Sequence, residues 1–457
     1  MVMFVRSARG AISFSFLLFS NRSASSVNGF LLPLQGQRRV TNVYNRAAFF
    51  STTSSSFVPP LTTTSTIINT TTQTKLANKQ TNIINLPPQQ NLTPSYIETL
   101  YTSALKHLTS TNCPEPAHST AHLITHSLGL PSNHFSFFLN EQFGFAVPKG
   151  HNLPKKWHEH LVDNIARRGE QEPLQYIVGS WDFHCLVDII CRRPTLIPRS
   201  ETEELVDFCV FEVGKLRKKD NDPNKIINVL DVGPGSGCIS LALLCTVKDL
   251  RVTAVDKSSK AVLLTNDNRR KFQEKFMEGS GFFGGEKNGG VYHDGIILCE
   301  DGGIKQYYQM NFHLPPTNEV NARLGDERNP PFDIIVSNPP YIPRTKMATL
   351  TPDVIVYEDY SALCGDIISD TTLDDGLDIV RDILTPIVFS SEVDRYKVLA
   401  EGGVILIEVD ESQPKIIKQW LEEEVGGWEV VIIRDFMGKD RFVRIVRGEI
   451  TKGVVGA

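Results

Sequence analysis

Two short segments carry residue types whose spacing suits chemistry. In Asn338-Pro339-Pro340-Tyr341 a carboxamide precedes two prolines and a phenol. The prolines fix the backbone, and their missing N–H groups leave carbonyls free to accept hydrogen bonds. A planar NH2 group is a poor nucleophile because its lone pair is conjugated. Two acceptors, the Asn338 side-chain oxygen and the Pro339 carbonyl, can hold its two hydrogens and aim its nitrogen at a methyl donor. Tyr341 can stack on the planar group or wall it in. No general base is obligatory, since the proton leaves after the nitrogen has become cationic; positioning and electrostatics carry such a step. The plain alternative is a rigid Pro-Pro turn with Asn as a cap.

The second segment is Asp231-Val232-Gly233-Pro234-Gly235-Ser236-Gly237, between an apolar strand pattern and a helical one. Glycines here let the backbone turn sharply and approach a ligand without Cβ atoms in the way. A dinucleotide site wants the G-x-G-x-x-G spacing, so a nicotinamide-dependent oxidoreductase is disfavoured. G-x-G-x-G behind an acid suits a ligand carrying an ammonium or sulfonium. Asp256 ends the next strand pattern, where a carboxylate can accept both hydroxyls of a ribose. Together these read as an S-adenosyl-L-methionine site built from Asp231, Gly233, Pro234, Gly235, Ser236, Gly237 and Asp256, with Asn338 facing the donated methyl group. The alternative is a Gly-rich turn kept only for packing.

These segments need elements to hold them. Apolar periodicity predicts strands over Ile226–Val232, Val252–Asp256, Gly295–Cys299, Phe332–Ser337 and Gly403–Val409, and helices over Glu201–Val213, Gly237–Cys245 and Ser259–Arg270. Strands separated by helices imply right-handed crossovers and a largely parallel, covered sheet, whose C-terminal strand ends are where ligands bind. Upstream, Ser95–Leu108, Pro116–Leu128 and Pro154–Arg168 read as three helices of a small domain, 93–170. Extended patterns around Gln175–Val178, Cys185–Ile190 and Leu196–Pro198, with a turn at Gly179–Ser180, suggest a hairpin linker over 171–198. The catalytic body then spans 199–447, with surface insertions at about 272–294 and 302–330, and 448–457 is a tail. His118, His122 and His126 share a helix face but lack an acidic or cysteine partner at a matching spacing. They read as a partly exposed face, and no metal is assigned.

The net charge of −5 hides a split. Eight of the 47 basic residues and none of the 52 acidic ones precede Glu98, so the first 97 residues carry +8 and the remainder −13. An acid-free, Arg-bearing, Ser/Thr-rich leader over 1–92 reads as a transit peptide followed by a disordered stretch, and points to the mitochondrial matrix. A secretory signal is the rival reading, because Ile12–Phe19 is apolar. The eight scattered cysteines, with no CxxC pair, argue against it. No apolar run approaches the roughly 20 residues of a membrane span.

The chain resembles the peptide chain release factor glutamine N5-methyltransferases, the PrmC/HemK type. Beyond the Asn-Pro-Pro-Tyr segment, the likeness rests on Glu172–Gly179, on Thr195–Glu203, on Tyr357-Glu358-Asp359 with Ala362-Leu363, on Asp375–Asp378 and on Asp435–Arg441. The resemblance covers roughly 94–446. It implies a Rossmann-like class I methyltransferase fold with a seven-stranded, mostly parallel sheet, preceded by a helical domain that docks a class 1 release factor. It implies methyl transfer from S-adenosyl-L-methionine to the glutamine amide of that factor's Gly-Gly-Gln loop. Asn338, Pro339, Pro340 and Tyr341 would bind the glutamine, Asp301 would lie near the adenine, and Arg199 and Glu201 would shape the pocket. Pro234 stands where Thr is usual and Ser200 where Pro is usual, and residues around Cys364-Gly365-Asp366 lengthen a loop that is normally tighter.

An amino-methyltransferase acting on adenine or guanine shares the Asn-Pro-Pro-Tyr chemistry, but would want a basic surface for phosphates. The body at −13 offers none, so no direct nucleic-acid or membrane partner is expected, and a monomer is. A silent scaffold in organelle translation would have lost Asn338 or a loop glycine, and both are present.

Overall fold

A computed structural model describes residues 84–131, 147–148, 150–277, 297–299, 331–367, 373–389 and 398–448. Thr93 opens the first helix, α1 (Pro94–Ser110). Its hydroxyl accepts the Tyr96 N–H, and Pro94 occupies a first-turn position where a missing N–H is harmless. Leu100, Ala104 and Leu108 form its buried stripe and meet α2 (Pro116–Ser127) and α3 (Trp157–Gly169) through Leu123, Ile124, Leu161 and Ile165. Ile84, Leu86 and Leu92 pack on the same cluster, and the Tyr96 hydroxyl donates to the Pro88 carbonyl at 2.9 Å. Residues 84–92, assigned to the leader by composition, therefore belong with the helices, because their few apolar side chains have a surface to cover. His122 also departs from expectation. It is buried between His118 and Trp181, with ring centroids 4.5 and 5.3 Å away, and burial lowers its pKa to about 4, so it packs as a neutral ring.

The linker differs from its extended reading. Leu174–Val178 is a short helix, α4, in which Leu174, Ile177 and Val178 lie at helical spacing against the helical cluster. Gly179, at φ +80°, ends it. The hairpin that follows pairs β1 (Ser180–Phe183) with β2 (Leu186–Ile190), and it turns at His184 and Cys185 rather than at Gly179–Ser180.

From Ser200 helices and strands alternate, all predicted by the periodicity except α8: α5 (Ser200–Lys219), β3 (Ile227–Val232), α6 (Cys238–Thr246), β4 (Leu250–Asp256), α7 (Ser259–Met277), β5 (Ile297–Cys299), β6 (Phe332–Ser337), α8 (Asp378–Val388) and β7 (Leu399–Glu408). A helix α9 (Pro414–Gln419) and two strands absent from the sequence reading, β8 (Trp428–Arg434) and β9 (Asp440–Arg447), complete it. The sheet runs β5-β4-β3-β6-β7-β9-β8. Its first five strands are parallel, and β9 and β8 add antiparallel. This is the Rossmann-like doubly wound arrangement. Helices on both faces require strands buried on both faces, and Phe332–Ser337 is buried at every residue. One core packs α5, α6 and the hairpin on the sheet; the other packs α8 and α9 on its opposite face. None of the described helices is long and apolar enough to cross a membrane.

The chain leaves β3 toward β4 on one side and reaches β6 on the other. That reversal opens a crevice beyond the C-terminal ends of β3 and β6, where both chemical segments sit. Asp301, the insertion 302–330 and most of the other insertion lie outside the described residues, although α7 runs on to Met277.

Candidate active site

A cavity of about 510 Å3 occupies the crevice, walled by Gly233, Pro234, Gly235 and Ser236 on one side and by Asn338, Pro339 and Pro340 on another. Asp256, Arg199, Thr202 and Asp359 also line it. Tyr341 and Glu201 are not on its wall. Tyr341 follows directly behind, with burial holding its phenol protonated, and Glu201 accepts a hydrogen bond from its neighbour Ser200 at 3.0 Å. Asp231 is fully buried beneath the loop and does not line the cavity. Its carboxylate accepts the Ser240 hydroxyl of α6, while Oδ1 has no partner. Burial raises its pKa to about 7.

The loop glycines serve different ends. Gly237 is held at φ +83°, and a Cβ there would come within 2.7 Å of Thr265 Cγ2, so this glycine lets α6 close on α7. Gly233, at φ +77°, has nothing within 4 Å of its Cβ position, so this one keeps the wall open. The loop carbonyls are pinned from α7. Thr265 donates to the Gly235 carbonyl at 2.9 Å and Asn268 to the Ser236 carbonyl at 2.9 Å. Asp256 Oδ2 accepts the Gly235 N–H at 3.1 Å and Oδ1 the Ser258 N–H at 2.8 Å. Burial raises the Asp256 carboxyl, opposed by those two backbone bonds.

The second wall is braced as firmly. Asn338 Nδ2 donates to Thr202 Oγ1 at 2.9 Å, and Ser337 donates to the Val232 carbonyl at 2.6 Å, tying β6 to β3 at the mouth. Gln413 donates to the carbonyls of Tyr341 (2.7 Å) and Asp375 (2.8 Å). A Cβ on Gly376 would lie 2.1 Å from the Tyr341 carbonyl oxygen, so only glycine permits this approach. The lengthened segment around Gly365 thus still closes on the Asn-Pro-Pro-Tyr backbone, with the Gly365 N–H bonded to the Ile342 carbonyl at 3.0 Å. Arg199 makes two bonds to Glu358, at 2.7 and 2.8 Å, so its charge is neutralised at the cavity edge.

No family model matches the chain. Known proteins do. The human MTRF1L release factor glutamine methyltransferase is 32% identical over 287 residues, which cover 62% of this chain and 69% of that one. The chain belongs to the release factor glutamine methyltransferase family. A release factor glutamine methyltransferase of Deinococcus radiodurans is 28% identical over 76% of this chain and 97% of its own length. Another, of Clostridium acetobutylicum, is 30% identical over 64% of this chain and 80% of its own.

In this release factor glutamine methyltransferase, three site residues escaped the sequence reading: Thr202, Asn268 and Gln413. Asn268 also bonds both the N–H and the carbonyl of Ile190, at 2.7 and 3.1 Å, joining hairpin, α7 and loop in one side chain. Helical and strand periodicity marks such residues only as polar interruptions in buried faces. A buried amide in a predicted amphipathic helix was the one signal on offer.

Proposed function

We propose that this enzyme transfers a methyl group from S-adenosyl-L-methionine to the side-chain amide nitrogen of the glutamine in the Gly-Gly-Gln loop of a class 1 release factor. The observation that carries the reading is the convergence of the glycine loop and Asn338 on one cavity in a member of this family. The cavity fits the donor. It has an open wall at Gly233, a carboxylate at Asp256 on the cavity wall that can accept ribose hydroxyls, and a buried acid, Asp231, behind the loop, whose charge favours a cationic ligand. Bound there, the donor supplies an electrophilic methyl group on a sulfonium.

The chain's part is to hold the glutamine amide. The Asn338 side-chain oxygen and the Pro339 carbonyl take its two N–H groups, Pro340 stiffens the turn, and Tyr341 backs it. Arg199, held by Glu358, shapes the rim. The amide nitrogen is thereby aimed while remaining planar, and its proton leaves once it has become cationic. The helical segment 93–170 docks the release factor and the linker 171–198 couples it to the catalytic body. The leader directs the chain to the mitochondrial matrix, where a monomer acts on a mitochondrial release factor without binding nucleic acid.

The test is incubation of the enzyme with methyl-labelled S-adenosylmethionine and a recombinant mitochondrial release factor. Label should enter the Gly-Gly-Gln glutamine. It should be lost with Gln→Ala in that loop or with Asn338→Ala in the enzyme. Label that survives either substitution, or that appears in added nucleic acid, overturns the reading.

A further inference from the structure

Asn338 can hold a substrate amide only in one of its two orientations. If its oxygen faces the cavity it accepts an N–H; flipped, it presents two donors to a group that itself only donates. Something must choose between them, and the surroundings contain a candidate. Ser337 pairs with Ile407 across β6 and β7, so Asn338, just past β6, follows beside Glu408, the last residue of β7. Thr202, in the first turn of α5, lies against both. Its hydroxyl is 2.9 Å from Asn338 Nδ2 and also favours the ionised form of the Glu408 carboxyl, whose Oε2 is buried without a hydrogen-bond partner. Thr202 is 2% exposed and Glu408 1%, so water does not compete. A carboxylate only accepts, and a hydroxyl has a single proton to give. With Glu408 ionised, the Thr202 proton goes to Glu408, and Thr202 Oγ1 can then only accept. The partner it accepts from is the Asn338 NH2, which leaves Asn338 Oδ1 for the cavity.

We propose that Glu408 is a positioning residue, whose buried carboxylate, acting through the Thr202 hydroxyl, sets the direction of the Asn338 carboxamide so that its oxygen meets the substrate amide. This rests on the reading of Asn338 as the amide-holding group. Protonating Glu408 removes the constraint: a neutral acid can donate to Thr202, which can then donate to Asn338 and turn its NH2 outward. The groups facing Glu408 are Arg441 from β9, Arg199 and Glu201 at the start of α5, Tyr341 after β6 and Cys238 from α6. Burial outweighs the two arginines and pushes Glu408 up to about 7, so the constraint is lost as pH falls through neutrality. Asp231 titrates in the same range, but it lies beneath the cofactor loop, so kcat is to be read at saturating cofactor.

The experiment measures kcat and the S-adenosylmethionine dissociation constant separately, with the full-length enzyme and a recombinant release factor. Thr202→Val and Glu408→Gln should each lower kcat by about 10- to 100-fold, the value of one misdirected hydrogen bond, with cofactor binding changed less than about twofold. Thr202→Ser should recover most of the loss. The wild-type kcat should rise with pH through about 7, and Glu408→Gln should flatten that limb. Wild-type kcat in Thr202→Val, a parallel loss of cofactor affinity, or an unchanged pH limb in Glu408→Gln each overturns the proposal. Asn338→Ala separates the two levels. If it is inactive while Thr202→Val is not, only the positioning role fails; if it is active, the reading of the site itself fails.

Discussion

At the scale of single residues, the loop is governed by two carboxylates one strand apart that do different work. Asp256 reaches the cavity and accepts the backbone N–H groups of Gly235 and Ser258. Asp256→Asn loses one of these acceptors and one ribose contact. The KM for S-adenosylmethionine should rise about 10- to 100-fold, with a smaller change in kcat. Asp231 never reaches the cavity, yet its charge matters because it is buried. An acid raised to about 7 that lies near a bound cation is more ionised in the complex than in the free enzyme. Binding therefore releases a proton, and affinity should increase as pH rises through about 7 and fall as pH drops below it. Isothermal titration of S-adenosylmethionine between pH 6 and 8 should show the slope in the wild type and a flat profile in Asp231→Asn. A slope that survives the substitution assigns the proton elsewhere.

At the scale of elements, the glycine loop is a joint between β3, α6 and α7. Gly237→Ala drives a methyl to 2.7 Å from Thr265 and puts a side chain on a left-handed backbone at φ +83°, so it should lower stability by about 2–5 kcal/mol, seen as a lower Tm. Gly233→Ala meets no neighbour. It should lose only the about 1–2 kcal/mol of a left-handed backbone, while weakening cofactor binding about tenfold or more as the methyl enters the cavity. If the two variants behave alike in melting and in binding, the division of labour is wrong. The same joint shows what the sequence could disclose. The loop and Asn-Pro-Pro-Tyr are local patterns at the ends of strongly apolar strands, so their type, order and place at the strand ends are legible from spacing alone. Their braces are not. Thr202 lies 136 residues before Asn338, and Asn268 lies 78 after Ile190; only closing the sheet brings them together. The hairpin linker misled for a related reason. Gln175–Val178 reads as extended, but packing of Leu174 and Ile177 on the helical cluster makes it helical. At the other end, Val431 is exposed and Trp428 and Val430 are buried, an alternation too short to stand out before β8 is paired with β9.

At the scale of the whole molecule, one segment links the helical part to the cavity. Tyr357 donates to the Glu170 carbonyl at the end of α3 (2.9 Å), Glu358 neutralises Arg199 on the cavity rim, and the Asp359 N–H bonds the Pro194 carbonyl of the linker at 2.7 Å. Three consecutive residues thus tie the helical part, rim and linker together, and Trp181 packs both on the helical cluster and on Tyr176 and Cys191 of the linker. The charge of the chain from Glu98 on is −13, which repels a phosphate backbone. An enzyme gripping a duplex through about six phosphates loses roughly 10^3 in affinity between 50 and 200 mM salt. Recognition of a protein loop by preformed contacts escapes that penalty, because no counterions are released. The kcat/KM for release factor methylation should therefore change by less than about tenfold over the same range, and micromolar transfer RNA should not compete. A steep loss with salt, or inhibition by the RNA, would mean that a polyanion is held somewhere on this surface and that the substrate is presented on nucleic acid.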